Sequence, residues 1–197
     1  MNTPNKLTML RIFLTIIIVA VLLFPFSAVG IDIPQLFVNE LIVVDIKYII
    51  AGILFIIASL TDFIDGRMAR KYNLVTDFGK LMDAVADKIL VNAVLIILCA
   101  QGFIHPIITV VIIMRDTFVD SIRMVASSKG KVIPAGNLGK VKTACMMVGL
   151  TLTLFYNLPF EIWNLKISDF LLILATIFSV ISGIEYYTAN RMYFSEK

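Results

Sequence analysis

Long apolar segments alternate with short polar segments along the whole chain. Residues 12–30 run for 19 positions without a charged side chain, which is enough to cross a bilayer. The further apolar segments lie near residues 48–62, 79–100, 107–125, 142–158 and 170–187. Residues 31–47 are mixed, and we expect an exterior loop there. The pattern therefore predicts an all-α integral membrane protein with six transmembrane helices.

The composition supports this interpretation. The chain has 197 residues, of which 59% are hydrophobic and only 16% are charged. A soluble domain of this length cannot bury so much apolar surface. We expect one membrane-embedded domain over residues 1–197, with residues 1–11 as an N-terminal interfacial segment. Cys99 and Cys145 lie in apolar runs, which indicates buried small side chains and not a disulfide or a metal pair.

The basic residues indicate the orientation of the six segments. Six crossings place both termini on one side, and that side then holds 15 of the 17 Lys and Arg residues. Only Lys47 and Lys166 fall on the other side. By the positive-inside rule, both termini are expected in the cytosol.

The second, third and fourth apolar segments carry charges only in their cytoplasmic halves. Between Lys47 and Asp62 lie 14 uncharged residues. As a helix they cover about 21 Å of a hydrocarbon core that is about 30 Å thick. Charges at that depth must face the bundle interior or a water-filled cavity. The sequence thus predicts a polar cavity that opens to the cytoplasm.

Four carboxylates are the most costly residues to place in this membrane. They are Asp62, Asp65, Asp83 and Asp87. The first two are three positions apart and the last two are four apart, so each pair shares a helix face. Crowded acids repel one another unless cations are present, and oxygen ligands select Mg²⁺ or Mn²⁺. Two such ions are a common device for phosphoryl displacement.

A simpler alternative remains open at this point. The acids could form ordinary interfacial ion pairs with Arg67, Arg70 and Lys88. Gly66 and Gly79 could likewise serve only close helix packing, as glycines often do in membranes. Beside carboxylates, they could equally allow the close approach of a phosphate or nucleotide.

The spacing of these residues resembles the complete signature of the CDP-alcohol phosphotransferase family. The run is Asp62-x2-Asp65-Gly66-x2-Ala69-Arg70-x8-Gly79-x3-Asp83-x3-Asp87. The resemblance implies a dimeric membrane enzyme that moves a substituted phosphate from a CDP-linked donor to an alcohol and releases CMP. It covers essentially the whole chain.

The resemblance also implies roles for individual residues. The two divalent cations would be bound by Asp62, Asp65, Asp83 and Asp87, and Asp87 would act as general base. The nucleotide site would consist of Asn5, Asp62, Gly66, Ala69, Arg70 and Gly79. For Asn5 there is a second interpretation, because Asn5 and Thr8 could instead cap a helix that enters the membrane interface.

A second basic cluster bears on the acceptor alcohol. We call Arg115, Arg123, Lys140 and Lys142 the basic wall. Arg115 and Arg123 are eight apart, about 80° around a helix, so they can share a cavity surface. The wall could bind the phosphate of an acceptor, with forked donors from Arg and point charges from Lys. The surrounding run resembles bacterial members whose donor is CDP-diacylglycerol and whose acceptor is sn-glycerol 3-phosphate.

Two kinds of alternative function are compatible with parts of the sequence: transfer to another acceptor, and transport of a divalent cation. An inositol phosphate is the second candidate acceptor, because it would also need the basic wall, whereas serine would not; phosphatidylglycerol is a further candidate acceptor. From another class, intramembrane acids could belong to a divalent-cation transporter. A transport path should place polar residues in both membrane halves, but the outer halves here are almost purely apolar.

Overall fold

The computed structural model describes residues 3–31, 33–38, 42–71, 77–130 and 136–191; side chains are described for these except at 3–4, 63–71, 77–78 and 80–81. Within these ranges lie six α-helices and one two-stranded sheet. The helices are α1 (Thr3–Leu23), α2 (Ile46–Lys71), α3 (Asp77–Ala100), α4 (Pro106–Ser128), α5 (Asn137–Leu154) and α6 (Ile167–Asn190). The strands are β1 (Gln35–Val38) and β2 (Ile42–Asp45). A mostly helical fold is therefore confirmed.

The first helix begins earlier than the apolar run that predicted it. Helix α1 starts at Thr3, so the described part of the N-terminal segment continues directly into the apolar span. Asn5 and Thr8 consequently lie inside the helix, and the interpretation of them as capping residues is wrong. The helix ends at Leu23, two residues before Pro25. This end is expected because a proline disrupts the hydrogen bonding of a helix.

The segment between the first two helices is a hairpin and not only a loop. Strands β1 and β2 are antiparallel, with Gln35 opposite Asp45 and Val38 opposite Ile42. The side chain of Gln35 also donates a hydrogen bond of 2.9 Å to Asp45 Oδ1. The expectation of a purely helical protein is corrected by this small sheet.

Helix α2 is longer than its apolar part. It runs without interruption from Ile46 to Lys71, past the acid at Asp62 and through Gly66. The chain between the second and third apolar segments is thus helical as far as Lys71. The backbone positions of Asp65, Ala69 and Arg70 lie on the same helix, three, seven and eight residues after Asp62.

Two packing groups build the core of the bundle. Helix α1 packs against α2 and α3, and α6 packs against α5 and α4. One continuous cluster of buried side chains joins the two groups, with Phe55 of α2, Leu95 of α3, Ile112 of α4 and Leu150 of α5 fully buried. A Cβ on Gly149 would lie 3.0 Å from Leu172, so α5 and α6 approach closely there. This arrangement leaves the polar ends of α2 to α6 facing one another.

Two helices of the described part are long and apolar enough to cross a membrane by themselves. These are Asn5–Leu23 in α1 and Ile167–Asn190, which is α6. Many large apolar side chains on the helices face outward, among them Phe13 (59% exposed) and Met114 (67%). Such an apolar exterior suits a lipid environment.

Candidate active site

A large cavity of about 1070 Å³ that contains many charged side chains lies among α2 to α6. Its charged lining residues, among those that the structure describes, are Asp62, Asp87, Lys88, Arg115, Asp116, Asp120, Arg123, Lys140, Lys142 and Glu185. Two of the four predicted acids and all four residues of the basic wall therefore border one space. Among the described residues, five acidic and five basic side chains line this space.

The acids of α2 and α3 meet at a buried arginine. Nη1 of Arg11 lies 2.9 Å from Asp62 Oδ1 and also 2.9 Å from Asp83 Oδ1. The Arg11 side chain is fully buried, whereas those of Asp62 and Asp83 are 37% and 43% exposed. Helix α1 thus supplies the cation that holds the two acid-bearing helices together at this level. Each carboxylate keeps part of its surface available for other ligands.

Asp87 lies one helical turn after Asp83 and lines the cavity. Its Oδ1 is buried, with no hydrogen-bond partner among the described residues. A buried carboxylate oxygen without a partner is costly and needs a ligand or a proton. The geometry therefore suits a residue that receives a proton or binds a cation from the cavity.

The donor set fits hard divalent cations in its chemistry. Among the side chains that the structure describes, no group of three or more His, Cys, Asp or Glu residues is close enough to hold a metal ion. The side chain of Asp65 lies outside that part. The remaining acids, Asp62, Asp83 and Asp87, offer only oxygen donors, and Asp87 has one oxygen without a partner. These residues fit Mg²⁺ or Mn²⁺ better than softer metals.

The predicted nucleotide residues are described less completely. The side chain of Arg70, like any contact of Gly66 and Ala69, lies outside the described part. Gly79 is half-buried in the first turn of α3. Asn5 is half-buried near the start of α1 and is not among the described residues that line the cavity.

Asp116 lies at the centre of the basic wall. Nζ of Lys142 donates to both of its carboxylate oxygens, at 2.7 and 2.6 Å, and Nη1 of Arg115 lies 2.9 Å from Oδ1. Arg115 is anchored on α6 as well, where Nε donates to the Ser179 carbonyl at 3.1 Å and Nη2 to Ser182 Oγ at 2.8 Å. A single carboxylate thus connects α4 and α5, and Arg115 extends the network to α6.

The other half of the basic wall has fewer partners. Nε of Arg123 donates to the Tyr186 hydroxyl at 3.1 Å, and its guanidinium lies 5.5 Å from the centre of that ring. Lys140 is exposed at the cavity surface. Across the cavity, Lys88 forms an ion pair with Asp120, which joins α3 to α4.

Three residues of the site were not predicted as such from the sequence. Arg11 ends the predicted N-terminal interfacial segment and has no predicted role, although an arginine within the first helical turns of a membrane protein signals a buried partner. Asp116 lies directly after Arg115 in the sequence. An acid within an apolar membrane segment could have been predicted to pair with a basic side chain. For Tyr186, nothing in the apolar sequence of α6 distinguishes it from a core aromatic residue.

A comparison with known families identifies the family of the chain. A family model described as CDP-alcohol phosphatidyltransferase matches residues 1–181. The chain belongs to this family. The resemblance noted in its acid and glycine motif is thereby confirmed, and the chain is a phosphatidyltransferase-type enzyme.

Curated relatives match nearly the whole chain. A CDP-diacylglycerol–glycerol-3-phosphate 3-phosphatidyltransferase of Bacillus subtilis is 41% identical over 96% of this chain and 95% of its own length. A protein of the same name in Rickettsia bellii is 31% identical over 98% of this chain and 97% of its own length. Another in Mycoplasma pneumoniae is 36% identical over 77% of this chain and 67% of its own length.

One solved structure has the same fold. The apo crystal structure of the phosphatidylinositol phosphate synthase of Mycobacterium tuberculosis aligns with a TM-score of 0.62 and covers 100% of this chain and 94% of its own. The sequence identity is 21%, so this likeness concerns the fold alone.

Proposed function

We propose that the protein transfers the phosphatidyl group from CDP-diacylglycerol to sn-glycerol 3-phosphate, giving phosphatidylglycerol phosphate and CMP in phospholipid biosynthesis. One observation carries the proposal: Asp62 and Asp87 border the same cavity as the whole basic wall. The acids can bind the divalent cations that neutralise the reacting phosphates, and the basic wall can bind an acceptor that carries a phosphate of its own. The names of the curated relatives support the same donor and acceptor.

The acidic end of the cavity would hold the donor. Asp62, Asp65, Asp83 and Asp87 would bind two divalent cations, which supply charge neutralisation for the donor pyrophosphate. Asn5, Gly66, Ala69, Arg70 and Gly79, with Asp62, would contact the CDP portion. Glycines let a backbone approach a nucleotide closely, and Arg70 would supply forked donors to phosphate.

Asp87 would act as the general base. The 1-hydroxyl group of glycerol 3-phosphate gives its proton to Asp87, and the hydroxyl oxygen forms a bond to the β-phosphorus of the donor. The bond between that phosphorus and the bridging oxygen breaks, and CMP leaves with the electron pair. The partnerless buried Oδ1 of Asp87 supports this role, because that oxygen has no hydrogen bond to lose within the described part.

The proposed enzyme crosses a bacterial cytoplasmic membrane six times. Both termini and the cavity would face the cytosol, since 15 of 17 basic residues then lie on that side. The water-soluble acceptor and CMP would exchange with the cytosol, while the acyl chains of the donor stay in the membrane. A homodimer is proposed from the family resemblance alone.

Acceptor competition tests the proposal directly. Purified protein in detergent is given CDP-diacylglycerol with Mg²⁺ or Mn²⁺, and CMP release is measured with each acceptor in turn. Glycerol 3-phosphate is expected to stimulate release by itself. Stimulation only by inositol phosphate or only by phosphatidylglycerol would reassign the acceptor, and stimulation only by serine would contradict the role of the basic wall.

A cation transporter is the distant alternative. It predicts uptake of Mn²⁺ into vesicles that contain the protein but no CDP-diacylglycerol. Under the proposed function, no protein-dependent uptake occurs and CMP release requires the lipid donor.

A further inference from the structure

A second cavity, of about 550 Å³, lies where α1 ends and α2 begins. It is bordered by the end of α1, a 3-10 turn at Phe26–Val29 and the hairpin, and we call it the hairpin pocket. Its lining residues include Phe24, Phe26, Ser27, Phe37, Asp45 and Lys47. Asp62 of the candidate active site lies 15 residues after Lys47, about 22 Å further along α2. The hairpin pocket is therefore a separate site.

The hairpin pocket lies where apolar segments of the chain give way to polar ones. The apolar helix α1 ends at Leu23, and Asp45 and Lys47 are the last charged residues before the apolar part of α2. At the edge of the pocket, the side chains of Phe24 and Phe37 are 45% and 70% exposed. Aromatic side chains beside charged groups are typical of the membrane–water interface, where phospholipid headgroups lie. A phospholipid is thus the ligand that this pocket would meet most often.

Asp45 and Lys47 line the same pocket without pairing with each other. Within the described part of the chain, neither side chain forms an ion pair. Gln35 donates to Oδ1 of Asp45 at 2.9 Å, which leaves Oδ2 without a described donor. Nζ of Lys47 lies 5.0 Å from the centre of the Tyr48 ring and has no described hydrogen-bond acceptor. The chemical complement of this pocket therefore carries one positive and one negative group.

The carboxylate of Asp45 is attached to a well-supported part of the fold. Asp45 is paired with Gln35 in the hairpin, and its backbone N–H donates to the Tyr156 hydroxyl at 3.3 Å. The Tyr156 ring packs edge to face on Tyr48 and on Phe103, with ring centres 5.5 Å away in both cases. A site whose groups are already held in place loses less conformational entropy when a ligand binds.

We propose that the hairpin pocket binds a phospholipid whose headgroup carries a phosphate and a primary ammonium group, as in phosphatidylethanolamine. The ammonium group donates to Asp45, and the phosphate accepts from Lys47 and the Ser27 hydroxyl. The acyl chains lie against the apolar edge formed by Phe24 and Phe37. A purely anionic headgroup would instead bring like charge close to Asp45, which is unfavourable. The site is independent of the transfer reaction, and its ligand would connect the hairpin to the end of α1.

The volume of the pocket agrees with a ligand of this kind. It falls within the roughly 300–1,000 Å³ that is usual for small-molecule sites. The rings of Phe24 and Phe26 pack edge to face with centres 4.8 Å apart, and both line the pocket. Aromatic rings attract cations as well as apolar groups, so this side of the pocket is compatible with both the ammonium group and the acyl chains.

Lipid titration of the delipidated protein in detergent tests the proposal. Phosphatidylethanolamine should raise the thermal midpoint at lower concentration than phosphatidylcholine, phosphatidylglycerol or the soluble headgroup glycerophosphoethanolamine. The first of these lacks ammonium N–H donors, the second lacks the ammonium group, and the third lacks acyl chains. Each loss should weaken binding by roughly tenfold, and native mass spectrometry measures the bound lipid directly.

Three variants assign the binding to the hairpin pocket. Asp45→Asn should remove the preference for phosphatidylethanolamine over phosphatidylcholine. Lys47→Met should weaken the binding of both lipids by roughly tenfold, because both carry the phosphate. Lys166→Met is the matched control, since Lys166 is an exposed cation between α5 and α6 and is not among the described residues that line the pocket. It should respond to lipid like the parent protein.

Equal stabilisation of the parent protein by all three phospholipids would show a non-specific lipid shell and contradict the proposal. An Asp45→Asn variant that keeps the preference, or equal losses in Lys47→Met and Lys166→Met, would do the same. The comparison of phosphatidylethanolamine with phosphatidylcholine uses the parent protein, so it decides the matter even where a variant does not fold. None of these measurements involves CMP release, so their failure leaves the proposed function intact.

Discussion

Nη1 of Arg11 lies 2.9 Å from Oδ1 of Asp83, a residue 72 positions later in the chain. The same nitrogen contacts Asp62, so a fully buried guanidinium from the first helix joins two acids of the proposed catalytic site. Arg11 gives the acids a cationic partner without enclosing them, because each carboxylate is more than one-third exposed. Fold stability and the electrostatics of catalysis are therefore coupled at this residue.

Arg11→Met is expected to lower the thermal midpoint most strongly in a chelator. The variant leaves two neighbouring carboxylates without their shared cation. The loss should fall below the roughly 3–5 kcal/mol of a fully buried pair, because water screens both acids in part. Added Mg²⁺ should restore part of the stability. Thermal unfolding in detergent with and without Mg²⁺ measures both effects.

Lys6→Met is the matched control for this experiment, since Lys6 is an exposed cation on the same helix. It should leave the midpoint nearly unchanged. Equal losses in the two variants, or no response of Arg11→Met to Mg²⁺, would mean that Arg11 does not compensate the acids.

Asp87→Asn is expected to fold normally and to lose most turnover. The substitution keeps the shape of the side chain but removes its ability to accept a proton. General-base catalysis contributes about 10²–10⁴-fold, so kcat for CMP release should fall in that range. Asp169→Asn, in the first turn of α6 and not among the described residues that line the cavity, serves as control and should keep full activity. Full activity in Asp87→Asn would contradict the assignment of the base.

Removal of divalent cations is expected to abolish turnover reversibly. EDTA should stop CMP release, and Mg²⁺ or Mn²⁺ added in excess should restore it. Asp83→Asn should raise the concentration of Mg²⁺ needed for half-maximal activity, because one oxygen ligand loses its charge. Activity that persists in EDTA after exhaustive dialysis would exclude the proposed cofactors.

The sequence was most informative where a residue is unusual for its surroundings. The acids are predicted to form the functional centre because charge within an apolar segment is costly. Asp62 and Asp87 line the cavity of the structure. The pairing of Lys142 with Asp116 was not predicted, since the partners lie on different helices and only tertiary packing brings them together. The hairpin was missed because strands of four residues are too short to show a clear alternation.

Cysteine labelling tests the proposed six crossings. In a background with Cys99→Ser and Cys145→Ser, Lys129→Cys and Lys166→Cys each place one thiol at an exposed position between helices. A membrane-impermeant maleimide applied to intact cells should label the variant at 166 and not the variant at 129. Both should be labelled after the membrane is opened. Labelling of both in intact cells, or the reverse order, would contradict the proposed orientation.

Gly149→Ala is expected to destabilise the contact between α5 and α6. A Cβ at this position would lie 3.0 Å from Cγ and Cδ2 of Leu172, which is buried and has little room to move. Overpacking of this kind typically costs about 1–3 kcal/mol, visible as a lower thermal midpoint. Gly136→Ala is the control, because no atom of the described residues lies within 4 Å of a Cβ built there. Since α5 carries Lys140 and Lys142, a shift of α5 should also raise the KM for glycerol 3-phosphate in Gly149→Ala. A lower midpoint with an unchanged KM would show that the cavity surface tolerates movement of α5, and an unchanged midpoint would mean that the two helices separate at little cost.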